Sequence, residues 1–149
     1  MSKSRLHSFA LLRLVAWLRL VFGQWHVEQE VSIDLTPTLD ETNEPEPEAI
    51  VIRRSSQQLR LNSPSLADLL LVAEVSVSSA DYDLGPKAAL YASAGIADYW
   101  VLDMTNDRIV VHRDPVAGRY ASIITYAADE TVAPLAAPTH PTTLRQLLA

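Results

Sequence analysis

The sequence predicts one domain in which helices pack against a mixed β-sheet, a fold of the α/β (α+β mixed) class. The chain of 149 residues is long enough for one sizeable core but not for two. Its predicted elements follow the order helix, three strands, helix and then a meander of strands. A mixed sheet with packed helices accommodates this order best.

The first predicted element is an amphipathic helix over residues 6–22, which Gly23 ends. Arg13 and Arg19 interrupt the apolar run before 18 apolar residues accumulate, which argues against a signal peptide or a membrane span. We therefore expect a cytoplasmic protein. The apolar residues that recur at helical spacing are Leu6, Ala10, Leu14, Trp17, Leu18 and Val21.

Two strands separated by a loop are predicted next. Residues 25–35, "WHVEQEVSIDL", alternate between apolar and polar types, which is typical of a strand with one solvated face. The proline-rich, acidic residues 36–48 predict a loop that leads to the strand "EAIVIR". Residues 54–68 have no clear period, so we expect irregular structure there, with a short turn of helix near Ser65.

The second half predicts a buried strand, a helix and a meander. Residues 69–77 form a continuous apolar run, as expected of an interior strand. The segment "LGPKAALYASAG" predicts a helix with Pro86 in its first turn and Gly95 at its end. The tail predicts a short helix capped by Thr142 or Thr143. Three further strands are predicted at "YWVLD", "RIVVHR" and "RYASIITYA".

Composition excludes several kinds of site. The chain has no cysteine, which excludes disulfides, thiolate metal sites and cysteine nucleophiles. Its four histidines show no ligand spacing, and we expect them at the surface or at helix ends. The net charge of −6 argues against nucleic-acid binding through broad neutralisation of phosphates.

Glu74 places a carboxylate in the middle of the predicted buried strand. Side chains of a strand alternate between its faces, so Glu74 shares a face with Val72 and Ser76, and this face becomes polar towards its end. A buried carboxylate is costly unless it meets a cation, a hydrogen-bond network or solvent. Ligands of open α/β sheets commonly bind at the carboxyl ends of strands.

Glu48 and Lys87 are the candidate partners of Glu74. Glu48 begins the strand "EAIVIR", and a neighbouring strand could bring its carboxylate near Glu74. Lys87 lies in the first turn of the following helix, and apart from Lys3 it is the only lysine. Paired carboxylates form an oxygen-rich site for a hard cation such as Mg²⁺, and a nearby lysine stabilises negative charge or helps to activate water.

Structural roles explain the same residues without catalysis. Asp83 and Lys87 stand at i,i+4 with the acid first, which is a favourable ion pair on a helix. Glu48 is then a solvated strand end after an acidic loop. A buried structural network would account for Glu74.

The segments "EPEPEAIVIR", "LLLVAEVSVSSADYDLGPKAALYASAGIADYWVLD" and "GRY" resemble the Uma family of restriction-endonuclease-like proteins. This family belongs to the PD-(D/E)xK nuclease superfamily. The resemblance covers most of the chain from about His7 onward, and residues 74–103 are its most specific part. It implies a restriction-endonuclease-like mixed sheet flanked by helices, in a single domain over residues 1–149 that lacks the family's usual N-terminal β-rich segment.

The resemblance also implies the site residues. The first acid of the superfamily falls on Glu48, where aspartate is usual, and the second falls on Glu74. Ser76 occupies the position of the motif lysine, which is displaced into the next helix at Lys87. Glu48, Glu74 and the backbone carbonyl of Val75 would hold Mg²⁺ or Mn²⁺. Asp83 matches the acid that commonly precedes the lysine, and Val77 stands where a polar residue is frequent.

The implied activity is metal-dependent hydrolysis of DNA phosphodiester bonds. Lys87 would orient or deprotonate the attacking water, or stabilise the transition state. The acidic surface predicts weak DNA affinity, which a homodimer or a basic strip of Arg53, Arg54 and Arg60 would relieve. The alternative is a catalytically inactive nuclease-like domain that serves as a binding or scaffold module.

Overall fold

The computed structural model describes residues 4–36, 38 and 44–149 of the chain. Within these ranges six strands form one sheet whose spatial order follows the chain order. The strands are β1 (Val27–Gln29), β2 (Ala49–Ile52), β3 (Leu69–Ser76), β4 (Asp98–Asp103), β5 (Arg108–Val116) and β6 (Arg119–Ala127). The helices are α1 (Arg5–Phe22), α2 (Ser56–Leu59), α3 (Ala80–Leu84), α4 (Pro86–Ala94) and α5 (Leu144–Leu148).

The sheet is mixed, as the sequence predicts. Strands β3 and β4 are parallel, and each of the other neighbouring pairs is antiparallel. A parallel pair needs a crossover connection, which α3 and α4 provide. The carboxyl ends of β3 and β4 therefore meet at the same edge of the sheet.

Helices cover both faces of the central strands. Val75 and Trp100 belong to a buried cluster with residues of α1 and α5. Val72 and Val101 belong to a second cluster with residues of α4, among them Tyr91. Because β3 and β4 are buried on both faces, their sequences read as continuous apolar runs rather than as alternating ones.

The predicted long helices are confirmed, together with their ends. α1 begins after Ser4, whose side chain accepts the N–H of His7, and ends at Gly23, which has φ of 92°. α4 begins at Pro86 and ends at Gly95 in the left-handed conformation. The described helices include none that is both long and apolar enough to cross a membrane.

The predicted strand over residues 25–35 is shorter than expected. Its pairing with β2 stops at Gln29, opposite Ala49, and Glu30 has φ of 53°, which leads the backbone out of the sheet. Further along, Asp34 forms an isolated bridge with Ser65. Of the predicted loop 36–48, residues 37 and 39–43 lie outside the described residues.

Residues 54–68 contain more helix than their irregular sequence predicts. α2 starts with a capping box, in which Ser55 and Gln58 bond each other's backbone N–H. The spacing of Ser55 and Gln58 is itself a sequence signal for this start. The predicted turn near Ser65 is confirmed as a single 3₁₀ turn, Leu66–Asp68.

Asp98 ties the C-terminal segment to the sheet. Its buried carboxylate accepts hydrogen bonds from the indole N–H of Trp100 at 2.9 Å, from Nε of Arg113 at 3.0 Å and from the backbone N–H of Leu135 at 2.9 Å. Arg113 also donates to the carbonyl oxygen of Ala133 at 2.7 Å. The segment after β6 is therefore anchored by the side chains of Asp98 and Arg113.

Replacing Asp98 with alanine is expected to lower the free energy of unfolding by about 3 kcal/mol, because Arg113 and two other donors lose their acceptor in the interior. Thermal unfolding should show a decrease in Tm of roughly 10 °C. Asp129→Ala, which removes an exposed carboxylate, is the matched control and should leave Tm nearly unchanged. Equal Tm values for the two variants would show that Asp98 is not the anchor.

Candidate active site

Glu74 lies near the carboxyl end of β3, on the face that α4 covers, and only 1% of its surface is exposed. Its Oε1 accepts the backbone N–H of Glu48 at 3.0 Å. Its Oε2 lies 2.9 Å from Nζ of Lys87 and accepts the hydroxyl of Tyr91 at 3.1 Å. The buried carboxylate thus has both the cation and the hydrogen-bond network that its burial requires.

The charges of this cluster act on one another. Burial raises the pKa of Glu74, the ammonium of Lys87 opposes that rise, and the carboxylate of Glu48 adds to it. Burial alone would lower the pKa of Lys87, but the charge and hydrogen bond of Glu74 hold that pKa above its ordinary value. Lys87 is therefore an ammonium at neutral pH.

Lys87 lies in the first turn of α4, directly after Pro86, with about 20% of its side chain exposed. Its Nζ is 3.7 Å from Oδ1 of Asp83 and lies 5.3 Å from the centre of the Tyr82 ring. The i,i+4 pair with Asp83 is thus present, but the contact with Glu74 is shorter. Glu74 is therefore the principal ion-pair partner of Lys87.

Glu48 directly precedes β2, and the pairing of Ala49 with Ala73 places it at the carboxyl end of β3. Its Oε2 accepts the backbone N–H of Val75 at 2.6 Å. Its Oε1 lies 2.6 Å from Nε2 of His7 on α1. The backbone N–H of Glu48 therefore donates to Glu74, whereas the carboxylate of Glu48 contacts Val75 of β3 and His7 of α1.

Two residues of the cluster were not predicted from the sequence. His7 was expected at the surface or at a helix end; it lies in the first turn of α1, but it is 7% exposed and contacts Glu48, which lies 41 positions away in the chain. No local pattern indicates a contact over such a separation. Tyr91 lies four positions after Lys87 on α4, so helical spacing does place the two on one face.

Comparisons with known proteins identify the family of this chain. A family model described as "Uma2: Putative restriction endonuclease" matches residues 1–143. The chain belongs to the Uma2 family. No curated protein gave a match to its sequence.

A solved structure is also similar to this Uma2 chain. It is described as "a putative nuclease belonging to DUF820" from Anabaena variabilis, and it superposes with a TM-score of 0.73 at 14% sequence identity. The match covers 99% of this chain and 82% of the other. At this identity the likeness concerns the fold, and it confirms the predicted restriction-endonuclease-like mixed sheet with flanking helices.

The predicted arginine strip does not lie at the carboxylate cluster. Arg53 and Arg54 follow the carboxyl end of β2, whereas Glu48 precedes its start. Five strand residues span roughly 16 Å. Arg54 is also paired with Asp68, at 2.7 Å from its Nε, and this bond holds the pKa of Asp68 below its ordinary range. Arg60 lies still further along the chain, after α2.

Ser76, at the position of the motif lysine, is fully buried and its Oγ lies 3.4 Å from Oγ of Ser79. Ser79 in turn donates to Oδ2 of Asp83 at 2.6 Å. A short polar chain thus extends from the end of β3 to α3. Ser76 shares the strand face of Glu74, on which a lysine at that position would also lie.

The cluster brings together the carboxylates of Glu48 and Glu74, with His7 in contact with Glu48 and Asp83 3.7 Å from Lys87. Over the described ranges, no group of three or more histidine, aspartate or glutamate residues is arranged to hold a metal ion. Glu48 is 17% exposed at its side chain and Lys87 is 20% exposed, so solvent reaches both. The cluster offers two negative groups and one accessible ammonium to a ligand.

Lys87→Met is expected to lower the free energy of unfolding by about 3 kcal/mol, because it leaves the buried charge of Glu74 without its cation. Glu74→Gln should recover part of this loss in the Lys87→Met background, since the amide carries no charge. Urea unfolding of both single variants and the double variant gives the coupling energy, expected at about 1–3 kcal/mol. Additive effects would mean that Lys87 does not stabilise Glu74.

Proposed function

We propose that this Uma2 chain is a metal-dependent endonuclease that hydrolyses DNA phosphodiester bonds, with Glu48, Glu74 and Lys87 as its catalytic residues. The observation that supports this most directly is the 2.9 Å contact between Nζ of Lys87 and Oε2 of Glu74. The superfamily motif places its lysine two positions after the acid, where this chain has Ser76. The contact supports a lysine displaced onto α4.

The residues present fit a hard divalent cation such as Mg²⁺ or Mn²⁺. Carboxylate oxygens are suitable ligands for such an ion. The backbone N–H of Val75 donates to the carboxylate of Glu48. Because the N–H and C=O of one strand residue point to the same side of the strand, we expect the carbonyl of Val75 to lie on the side of Glu48 as well. Glu48, Glu74 and the Val75 carbonyl would hold the ion. The chemistry that such an ion supplies is polarisation of the phosphate and a lower pKa of bound water.

Lys87 acts as a positive charge rather than as a base. An ammonium whose pKa lies above its ordinary value does not take a proton from water at neutral pH. Its three N–H donors can instead contact a phosphate oxygen and stabilise the negative charge that grows there in the transition state. Contacts with Glu74 and Asp83 fix its position before the substrate arrives.

The acidic surface limits how this enzyme would hold DNA. With a net charge of −6, a monomer gains little from neutralising phosphates. A homodimer would double the number of phosphate contacts for one duplex. We therefore propose weak binding by the monomer, with Lys87 as the principal cation at the scissile phosphate.

The alternative function is a catalytically inactive nuclease-like binding or scaffold domain. Two features favour it: Glu48 replaces the usual aspartate, and Ser76 replaces the strand lysine. A fold of this kind can persist after its chemistry is lost. Titration calorimetry with Mn²⁺ separates the two functions, because binding that Glu74→Gln abolishes is expected only of the enzyme.

Plasmid cleavage with Mn²⁺ tests the proposed enzyme. Lys87→Ala should reduce the cleavage rate by about 100-fold or more, and Lys87→Arg should retain part of the rate, because arginine keeps the charge. Arg53→Ala removes an exposed cation at the far end of β2 and is the matched control, expected to cleave at the wild-type rate. Absence of cleavage by both the wild type and Glu48→Asp would favour the binding domain instead.

A further inference from the structure

We propose that His7 is a positioning residue that fixes the carboxylate of Glu48 for metal binding. This proposal rests on the proposed function, because Glu48 is one of the inferred ligands. The 2.6 Å contact between Nε2 of His7 and Oε1 of Glu48 joins the first turn of α1 to the start of β2. His7 would act through Glu48.

The local structure of α1 places the imidazole accurately. Ser4 caps the helix and its Oγ accepts the backbone N–H of His7 at 3.0 Å. Farther along α1, Ala10 and Leu14 are fully buried against the sheet. His7 therefore projects from a rigid helix end, which is a better support for a functional group than a loop is.

Glu48 needs such support more than an aspartate would. Glutamate has one more rotatable bond, and fixing a long side chain costs conformational entropy. Both oxygens of Glu48 accept a hydrogen bond in this structure, Oε2 from Val75 and Oε1 from His7. The additional methylene lets the carboxylate reach α1, so His7 provides the tether that the longer acid requires.

The His7 imidazole bonds through one nitrogen, Nε2, to Glu48. An ionised carboxylate only accepts hydrogen bonds, so Nε2 must carry the proton that it donates to Glu48. The other ring nitrogen, Nδ1, is buried and has no hydrogen-bond partner among the described residues. A buried polar atom without a partner is unfavourable, and an apolar side chain at position 7 would avoid it. The imidazole thus contributes through Nε2.

The first test uses the full-length protein without metal. If His7 fixes Glu48, then His7→Ala should release the carboxylate from Val75, and the Val75 amide should exchange with solvent about tenfold faster in NMR measurements. His7→Gln supplies an N–H donor at a similar reach and should restore slow exchange. The Ala73 amide, inside the paired part of β3, is the internal control and should not change.

The second test measures Mn²⁺ binding by calorimetry. His7→Ala should weaken affinity by about tenfold or more, as expected when a group that orients a ligand is lost, and His7→Gln should rescue it. In a Glu48→Asp background, whose shorter acid does not reach α1, His7→Ala should have no further effect. If His7→Ala weakened Mn²⁺ affinity equally in the wild type and in Glu48→Asp, the role of His7 would be unrelated to Glu48.

Unchanged exchange at Val75 in His7→Ala would overturn the proposal, and so would equal acceleration at Val75 and Ala73, which indicates general destabilisation. Failure of the proposed function gives a different result: the wild type would then not bind Mn²⁺ at all. Wild-type binding that Glu74→Gln abolishes and His7→Ala leaves intact would retain the enzyme and exclude the positioning role.

Discussion

A carboxylate buried in an interior strand is the constraint on which the rest of this site depends. Glu74 is 1% exposed, and a charge in that position is stable only if neighbouring elements supply donors. They do so from two directions: Lys87 and Tyr91 from α4, and the backbone N–H of Glu48 from the start of β2. The position of α4 on the sheet and the start of β2 are thus both coupled to one side chain.

The same constraint explains how a lysine outside the strand can serve this acid. A parallel pair of strands requires a crossover, and the crossover between β3 and β4 returns over the face to which Glu74 points. The first turn of α4 therefore passes close to the carboxyl end of β3. Gly85 allows α3 and α4 to follow each other closely, since a Cβ there would lie 2.7 Å from the backbone oxygen of Asp81.

Much of the fold could be predicted from the sequence because its signals are local. The glycines that end α1 and α4, the helical spacing of α1 and the apolar run of β3 each act over a few residues, and each predicted its element. The length of β1 could not be predicted, because β1 ends at Gln29, opposite the residue at which its antiparallel partner β2 begins. Alternation continues past Gln29, but the strand does not.

Some residues of the site could likewise be predicted from the sequence and others could not. Glu74 and Lys87 were predictable, because a charge in an apolar run and a nearly unique lysine are both visible in the sequence. His7 was not, since its partner Glu48 is brought to it only by the packing of α1 against the sheet. The basic strip of Arg53, Arg54 and Arg60 was predicted from residue type alone, and these arginines follow the end of β2 that is opposite to Glu48.

The proposed function requires that Glu48 and Glu74 together bind a divalent cation. A crystal structure determined after soaking with Mn²⁺, with data collected for anomalous scattering, tests it most directly. We expect an anomalous difference peak at bonding distance from a carboxylate oxygen of each residue, and no such peak in Glu74→Gln crystals of the same form. Crystals of the wild type that show no peak at the end of β3, or the same peak without the Glu74 carboxylate, would contradict the claim.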